Sequence, residues 1–133
     1  MDVSLFKAKS IESSEWVYGY LLKTEEHTYI AYAQQFDDDL FLAPRNIFVP
    51  VNPDTACVFT GKSDKNGTKI FTNDTVNVTY IDCGSVYTET IDVSYDEGCA
   101  GYTPFSWNYS CEGCGCGTNV QEVEIIGNKY NNL

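Results

Sequence analysis

Hydrophobic and polar positions alternate with a period of two along most of the chain. Over residues 74–81, Val76, Val78 and Tyr80 fall on one side, Asn77 and Thr79 on the other. That period sets one face of a strand against a core and leaves the other in water. Runs of β-branched and aromatic residues recur at roughly eight-to-twelve-residue intervals between Gly, Asn and Asp, the spacing of short antiparallel strands. The pattern predicts strands over residues 3–9, 16–23, 28–33, 47–51, 56–60, 68–71, 74–81, 86–95 and 120–126. In the strand 86–95, Tyr87, Ile91, Val93 and Tyr95 share a face, with Glu89 as the exception. Helical periodicity is absent, apart from room for one turn over residues 10–15.

The sharpest turn signal is Thr60-Gly61-Lys62-Ser63-Asp64-Lys65-Asn66-Gly67-Thr68. Asn66 and Gly67 both tolerate positive φ, which predicts a hairpin between the strands on either side. Residues 34–39 are polar and end in Asp37, Asp38 and Asp39, so a loop is expected to cross there between two halves. The expected organisation is an N-terminal β subdomain over 1–55 and a second β subdomain over 56–133. The second carries a loop, 97–118, rich in Cys, Gly and aromatic residues.

With 133 residues, of which 43% are hydrophobic and 20% charged, the chain can bury a core, and disorder is excluded. No apolar run approaches the ~18 residues of a membrane helix, and the first ten residues have no signal-peptide core. A soluble protein of a reducing cytoplasm is therefore expected, with no membrane partner. The net charge is -11, unevenly spread: residues 71–133 hold nine Asp or Glu against Lys129 alone. Such a surface repels phosphate backbones, so direct nucleic-acid binding is not expected. An acidic face can instead imitate nucleic acid and fill a basic groove on another protein. The ordinary alternative is a solvated face that keeps the protein soluble.

Several stretches taken in order resemble one family: Trp16-Val17-Tyr18-Gly19-Tyr20-Leu21, Val51-Asn52-Pro53-Asp54-Thr55, Phe59-Thr60-Gly61, Asp64-Lys65-Asn66-Gly67, Ile70-Phe71, Asp74-Thr75-Val76 and Val123-Glu124-Ile125-Ile126-Gly127-Asn128-Lys129-Tyr130. The chain resembles the YopX family of small phage and prophage proteins over residues 6–130. The resemblance implies a mainly β protein with an N-terminal antiparallel sheet and a C-terminal SH3-like small barrel, in a bacterial host cell. It implies no activity. Where the family usually has Gly before the Asp, this chain has Asn73, which also accepts a left-handed backbone. Where the family commonly has a Trp near the N-terminal Phe, this chain has Lys9. Residues 99–118 look like an insertion without a family counterpart.

Three constellations carry candidate chemistry. Cys111-Glu112-Gly113-Cys114-Gly115-Cys116, with Cys99 upstream, offers up to four thiolates for a structural zinc that would order the glycine-rich loop. A disulfide and free thiols are the competing fates. In the same loop, Tyr102, Phe105, Trp107 and Tyr109 are the residue types that bury much area for little entropy at binding surfaces. The ordinary reading is that Phe105 and Trp107 cover an open end of the barrel. Asp92, Asp96 and Glu97 lie beside this loop and complete a candidate partner-binding set. The other acids, Asp37, Asp38, Asp39 and Asp82, read as solvated, since nothing pairs them for hydrolysis or metal binding.

Catalysis is not expected. The only histidine is His27, ahead of a strand, and no Gly-x-Ser-x-Gly, Walker or dinucleotide motif occurs. The leading expectation is a non-enzymatic phage-type accessory protein that binds a host protein, such as an anti-CRISPR-like inhibitor of a defence system. The alternatives are a self-associating structural module that pairs exposed sheet edges, and a small-molecule or nucleotide sponge.

Overall fold

The computed structural model describes residues 5–34, 45–110 and 117–131, and over these the chain is mainly β, with several antiparallel sheets and no α-helix. It forms two compact units, Met1–Phe59 and Thr60–Leu133. Of the predicted loop over 34–39, Gln34 belongs to β3 and residues 35–39 lie outside the described residues.

In the first unit, β1 (Phe6–Lys9), β2 (Trp16–Lys23), β3 (Thr28–Gln34), β4 (Arg45–Pro50) and the start of β5 (Cys57–Ser63) run antiparallel in the order β4-β3-β2-β1-β5. β2 serves two partners in succession: Trp16 to Gly19 pair with β1, and Tyr20 to Lys23 pair with β3. Gly19 stands at this handover. A Cβ there would run into the Ala31 carbonyl oxygen, so the close approach of β3 depends on its absence. One sheet face buries Ala8, Ile30 and Val51, with Phe6, Val17, Leu21, Val49 and Ala56 packed around them. The segment after β1 closes as a turn rather than a helix. Ser14 N–H donates to Ser10 O at 2.9 Å, and Ser14 itself takes φ 59°. Val51 leaves β4 and bridges to Ser10 instead of continuing the strand. A 3-10 turn at Pro53–Thr55 follows, capped by Asn52, and the Thr55 hydroxyl accepts the Lys9 N–H at 2.9 Å. Lys9 is buried, with its ammonium 5.5 Å from the Trp16 ring centre.

The second unit contains the rest of β5, then β6 (Lys69–Phe71), β7 (Asp74–Asp82), β8 (Ser85–Asp92), β9 (Tyr95–Asp96), β10 (Gly101–Tyr102), a 3-10 turn (Phe105–Trp107), β11 (Tyr109–Ser110) and β12 (Gly117–Asn128). β11-β12-β7-β8 form an antiparallel sheet, and β9 pairs with β10 in a small ribbon. No pairing among the described strands joins β8 to β11. The sheet is therefore open, and these pairings do not establish the SH3-like barrel that the resemblance implies. The core is Ile70, Val76, Val78, Val93 and Val123. The inward set of β7 is the one its alternation predicts.

β8 stops at Asp92, short of the expected Tyr95. Val93 N–H still reaches Asp74 O, and Asn73 N–H reaches Val93 O, but there the opposing chain turns through Asn73 at φ 69° and offers no further partner. Tyr95–Asp96 then pair with Gly101–Tyr102 instead. β12 outruns its predicted span at both ends, because irregularities between Val120 and Glu122 and between Ile125 and Gly127 break the alternation without breaking the ladder to β7.

The predicted hairpin between β5 and β6 forms, with one difference in its turn. Gly67 takes φ 84° whereas Asn66 stays out of the left-handed region. Gly67 N–H donates to Asp64 O at 3.0 Å, which gives a β-turn followed by a left-handed glycine. The Asp64 carboxylate accepts N–H groups from Asn66 (3.0 Å), Thr68 (3.0 Å) and Ile125 (3.1 Å). Lys65 continues the contact: its N–H donates to Val123 O at 2.9 Å and its ammonium lies 2.6 Å from Glu124. Burial alone would raise the Asp64 carboxyl. The three backbone donors, together with the Lys65 ammonium, override burial and hold it below the ordinary value.

Two outcomes follow from this geometry. Gly19→Ala should lower the melting temperature sharply and weaken amide protection in β3, which hydrogen exchange would read; a wild-type melt would remove the close-approach argument. Asp64→Asn places an amide N–H where a backbone N–H needs an acceptor, and should cost about 2 kcal/mol at pH 7. A carboxyl held low in the folded state stabilises above its unfolded value of ~3.9 and stops doing so as pH falls through the folded value. The gap between wild type and Asp64→Asn in urea unfolding should therefore narrow towards pH 3, and a constant gap would exclude the carboxylate charge as its source.

Candidate partner-binding site

The aromatic segment of the second unit is held by its backbone before any ring is considered. Thr103 N–H donates to Ser94 O at 2.8 Å, Ser94 N–H donates to the Thr103 hydroxyl at 3.1 Å, and Trp107 N–H closes the 3-10 turn on Pro104 O at 2.9 Å. The Asn108 side chain accepts the Val120 N–H at 2.8 Å, which straps the segment to β12. Tyr102, Phe105 and Trp107 are half-buried and pack on the Ile70, Val76, Val78, Val93 and Val123 core. Phe105 and Trp107 thus cover the core, though no barrel end is established for them to close. Tyr109 lies in β11, its backbone opposite Thr118.

The rings continue outward from this cover. Trp107 meets Tyr80 edge-on at 5.4 Å, and Tyr80 stacks on Tyr87 at 5.6 Å. On the β9–β10 ribbon, Tyr95 and Tyr102 meet edge-on at 5.2 Å. Tyr87 and Tyr95, 47% and 51% exposed, are the aromatic residues nearest to free surface here. Alternation predicts that both share a face of one strand with Ile91 and Val93; the structure puts them in separate strands, and nothing local in the sequence marks them as exposed.

Acids flank them. Tyr80 is pushed up, first by burial and then by its hydrogen bond to Glu89 and the charges of Glu89 and Asp82. Asp92 is exposed and accepts the Thr75 hydroxyl at 2.6 Å. Asp96 accepts the Gly98 N–H at 3.0 Å, and Glu97 is exposed. Asp96 and Glu97 therefore stand with the Tyr95–Tyr102 pair, whereas Asp92 belongs to the end of β8. Phe105 also lines a cleft of about 330 Å³ with Asp64, Lys65, Asn108 and Glu122. A ring beside two carboxylates and one ammonium suits a polar peptide better than a phosphate.

Of the proposed zinc ligands Cys99, Cys111, Cys114 and Cys116, only Cys99 is among the described residues; the other three lie outside them. Among the described residues no group of three or more metal-ligating side chains forms. Cys99 is exposed, and its thiol is pushed up by the Asp96 charge first, then by a hydrogen bond to that carboxylate and by burial. Cys83 was missed in the sequence. Its N–H donates to Gly117 O at 3.0 Å, which puts it beside the residue that follows Cys116 in the chain, a proximity made only by the β7–β12 pairing.

The hairpin, the Asn73 turn and the long β12 occupy the stretches on which the resemblance rested, and a model of the YopX protein family matches residues 5–133. The chain belongs to the YopX family. No curated protein and no solved structure matches it significantly. The YopX match extends on both sides of residues 99–118, so the cysteine-rich segment is internal to the family domain. Among the described residues no helix is long and apolar enough to cross a membrane.

Asp96→Asn should lower the Cys99 thiol towards its ordinary value and speed its alkylation by iodoacetamide severalfold near pH 8, read by peptide mass spectrometry in the presence of a chelator. An unchanged rate would mean that Asp96 does not control this thiol.

Proposed function

We propose that this YopX-family protein acts without catalysis, by binding another protein. In its concrete form, it is a phage-type inhibitor that occupies the basic, nucleic-acid-binding groove of a host defence protein. The observation that supports this most is the pairing of exposed tyrosine with acid on the second unit. Tyr87 lies by Glu89 on β8, and Tyr95 by Asp96 and Glu97 at the ribbon, while residues 71–133 contain one cation, Lys129. Tyrosine supplies anchoring area and carboxylates supply the charge that a basic groove selects. The absence of an enzyme is part of the same proposal: His27 sits in the exposed turn between β2 and β3, hydrogen-bonded through its backbone to Thr24.

Affinity purification from the bacterial host, with wild type and a Glu89→Gln, Asp96→Asn, Glu97→Gln triple variant, tests this reading. Wild type should retain a basic nucleic-acid-binding protein at low salt and release it as salt rises or when a DNA oligonucleotide is added. The triple variant should retain at least tenfold less. A partner that ignores both oligonucleotide and variant would overturn the acidic-groove mechanism, and no partner at all would overturn protein binding.

A second reading, a self-associating module, is favoured by β8. Seven of its eight residues are exposed, and among the described residues no strand covers its outer edge. A nucleotide sponge is disfavoured by the carboxylates that line the cleft at Phe105.

A further inference from the structure

The middle of the first unit's sheet, where β2, β3 and β4 pair, is apolar on both faces. Its inner face holds Leu21, Ile30 and Val49 on β2, β3 and β4. Cross-strand pairing then fixes what the other face carries: one row is Tyr20, Ala31 and Phe48, and the next is Leu22, Tyr29 and Pro50. None of these six side chains is charged. Tyr20 is 49% exposed, Leu22 44% and Phe48 54%. An antiparallel sheet with one face in water ordinarily alternates to polar residues there, as β7 does with Asn77 and Thr79. This sheet does not.

We propose that this face is the interface of a two-fold dimer of the chain, independent of the acidic surface of the second unit. Three observations select a second copy as the occupant. The first is shape. Ala31 lies between Tyr20 and Phe48, so the middle of the face is a shallow trough between two rings. A two-fold axis running between β3 and β4 sets the Phe48 ring of one copy against Ala31 of the other, and the same contact is made twice. The second is charge. Two chains of net charge -11 repel, and a patch without a single ionised group lets them meet with no charge to desolvate. A basic or acidic partner would find no counter-charge among these six residues.

The third is area. Half-exposed aromatic rings of 150–250 Å² each, with Leu22, amount to roughly 300–400 Å² of apolar surface per copy. Homodimer interfaces are about 65% apolar, so a pair built on this patch would bury on the order of 1,000–1,200 Å² in total, at the lower bound for a specific interface. That size predicts a dimer that forms at micromolar concentration and dissociates on dilution.

Multi-angle light scattering on the full chain, from low micromolar to near-millimolar concentration, should show the mass rising from 14.9 kDa to twice that value. Phe48→Ser and Tyr20→Ser remove exposed rings and should each raise the dimer dissociation constant about tenfold or more. Their far-UV circular dichroism should stay that of wild type. Ala31→Asp, which puts a carboxylate into the trough, should give a monomer throughout. Thr88→Pro, on the outer edge of β8, should leave the dimer intact. A wild type that stays monomeric overturns the proposal without recourse to any variant. So does a dimer that survives Phe48→Ser and Tyr20→Ser, one lost on Thr88→Pro while the patch variants keep it, or a monomer that uses this face for a different protein.

Discussion

The carboxylate of Asp64 is the point on which the second unit depends. It joins segments 61 residues apart by satisfying N–H groups at the hairpin tip and at Ile125 on β12. Without it, three part-buried backbone donors would lose their acceptor. Lys65 works from the same turn, its N–H on the Val123 carbonyl and its ammonium on Glu124. The tip of the hairpin thus behaves as a short extra pairing partner for the middle of β12, on the edge that β11 does not reach. Val123, one of the five core residues, is held in place from both sides: by Val78 across the ladder and by Lys65 across the turn.

This arrangement explains why the aromatic segment lies where it does. β11 covers only the start of β12, and the Asn108 side chain takes over at Val120, so the chain is drawn across the end of the core and Phe105 and Trp107 go inward. Tyr80 then passes the aromatic contact outward to Tyr87, which is about half exposed. The surface proposed for a partner is built from residues on β8 and the β9–β10 ribbon, backed by a cover whose rings are already committed to the interior. A loop that is half core is a stiff support for the exposed tyrosines beside it, and stiffness reduces the entropy lost on binding.

Legibility in the sequence followed the range of the interactions. The alternation of Val76, Val78 and Tyr80 and the Asn66-Gly67 signal depend on neighbours within a few residues, and both appear in the fold. The end of β8 does not follow from its own composition, because it is set by the turn at Asn73 on the opposing chain. β12 was read too short because Gln121 and Ile126 fall at its two irregularities and spoil the period. The candidate site was legible in residue type alone. Aromatic residues on a glycine-rich loop marked the region, but which rings face the core depends on the Asn108–Val120 and Thr103–Ser94 hydrogen bonds, and Tyr87 and Tyr95 gave no local sign of exposure. Cys83 was invisible for the same reason, since only the pairing of β7 with β12 brings it to Gly117.

The hairpin turn also bears on chemical ageing. Asparagine followed by glycine is the sequence in which a backbone nitrogen most readily attacks the preceding side-chain amide, expelling ammonia and closing a succinimide that water opens to aspartate or isoaspartate. In this turn the attacking atom would be the nitrogen of Gly67, and its hydrogen is held by the Asp64 carbonyl at 3.0 Å. The Asn66 N–H is held as well, by the Asp64 carboxylate, so the dipeptide cannot swing into the cyclising geometry while the turn is closed. The lifetime of Asn66 is therefore coupled to the integrity of the hairpin: the folded chain shelters this side-chain amide, and damage accumulates in the fraction of time the turn is open.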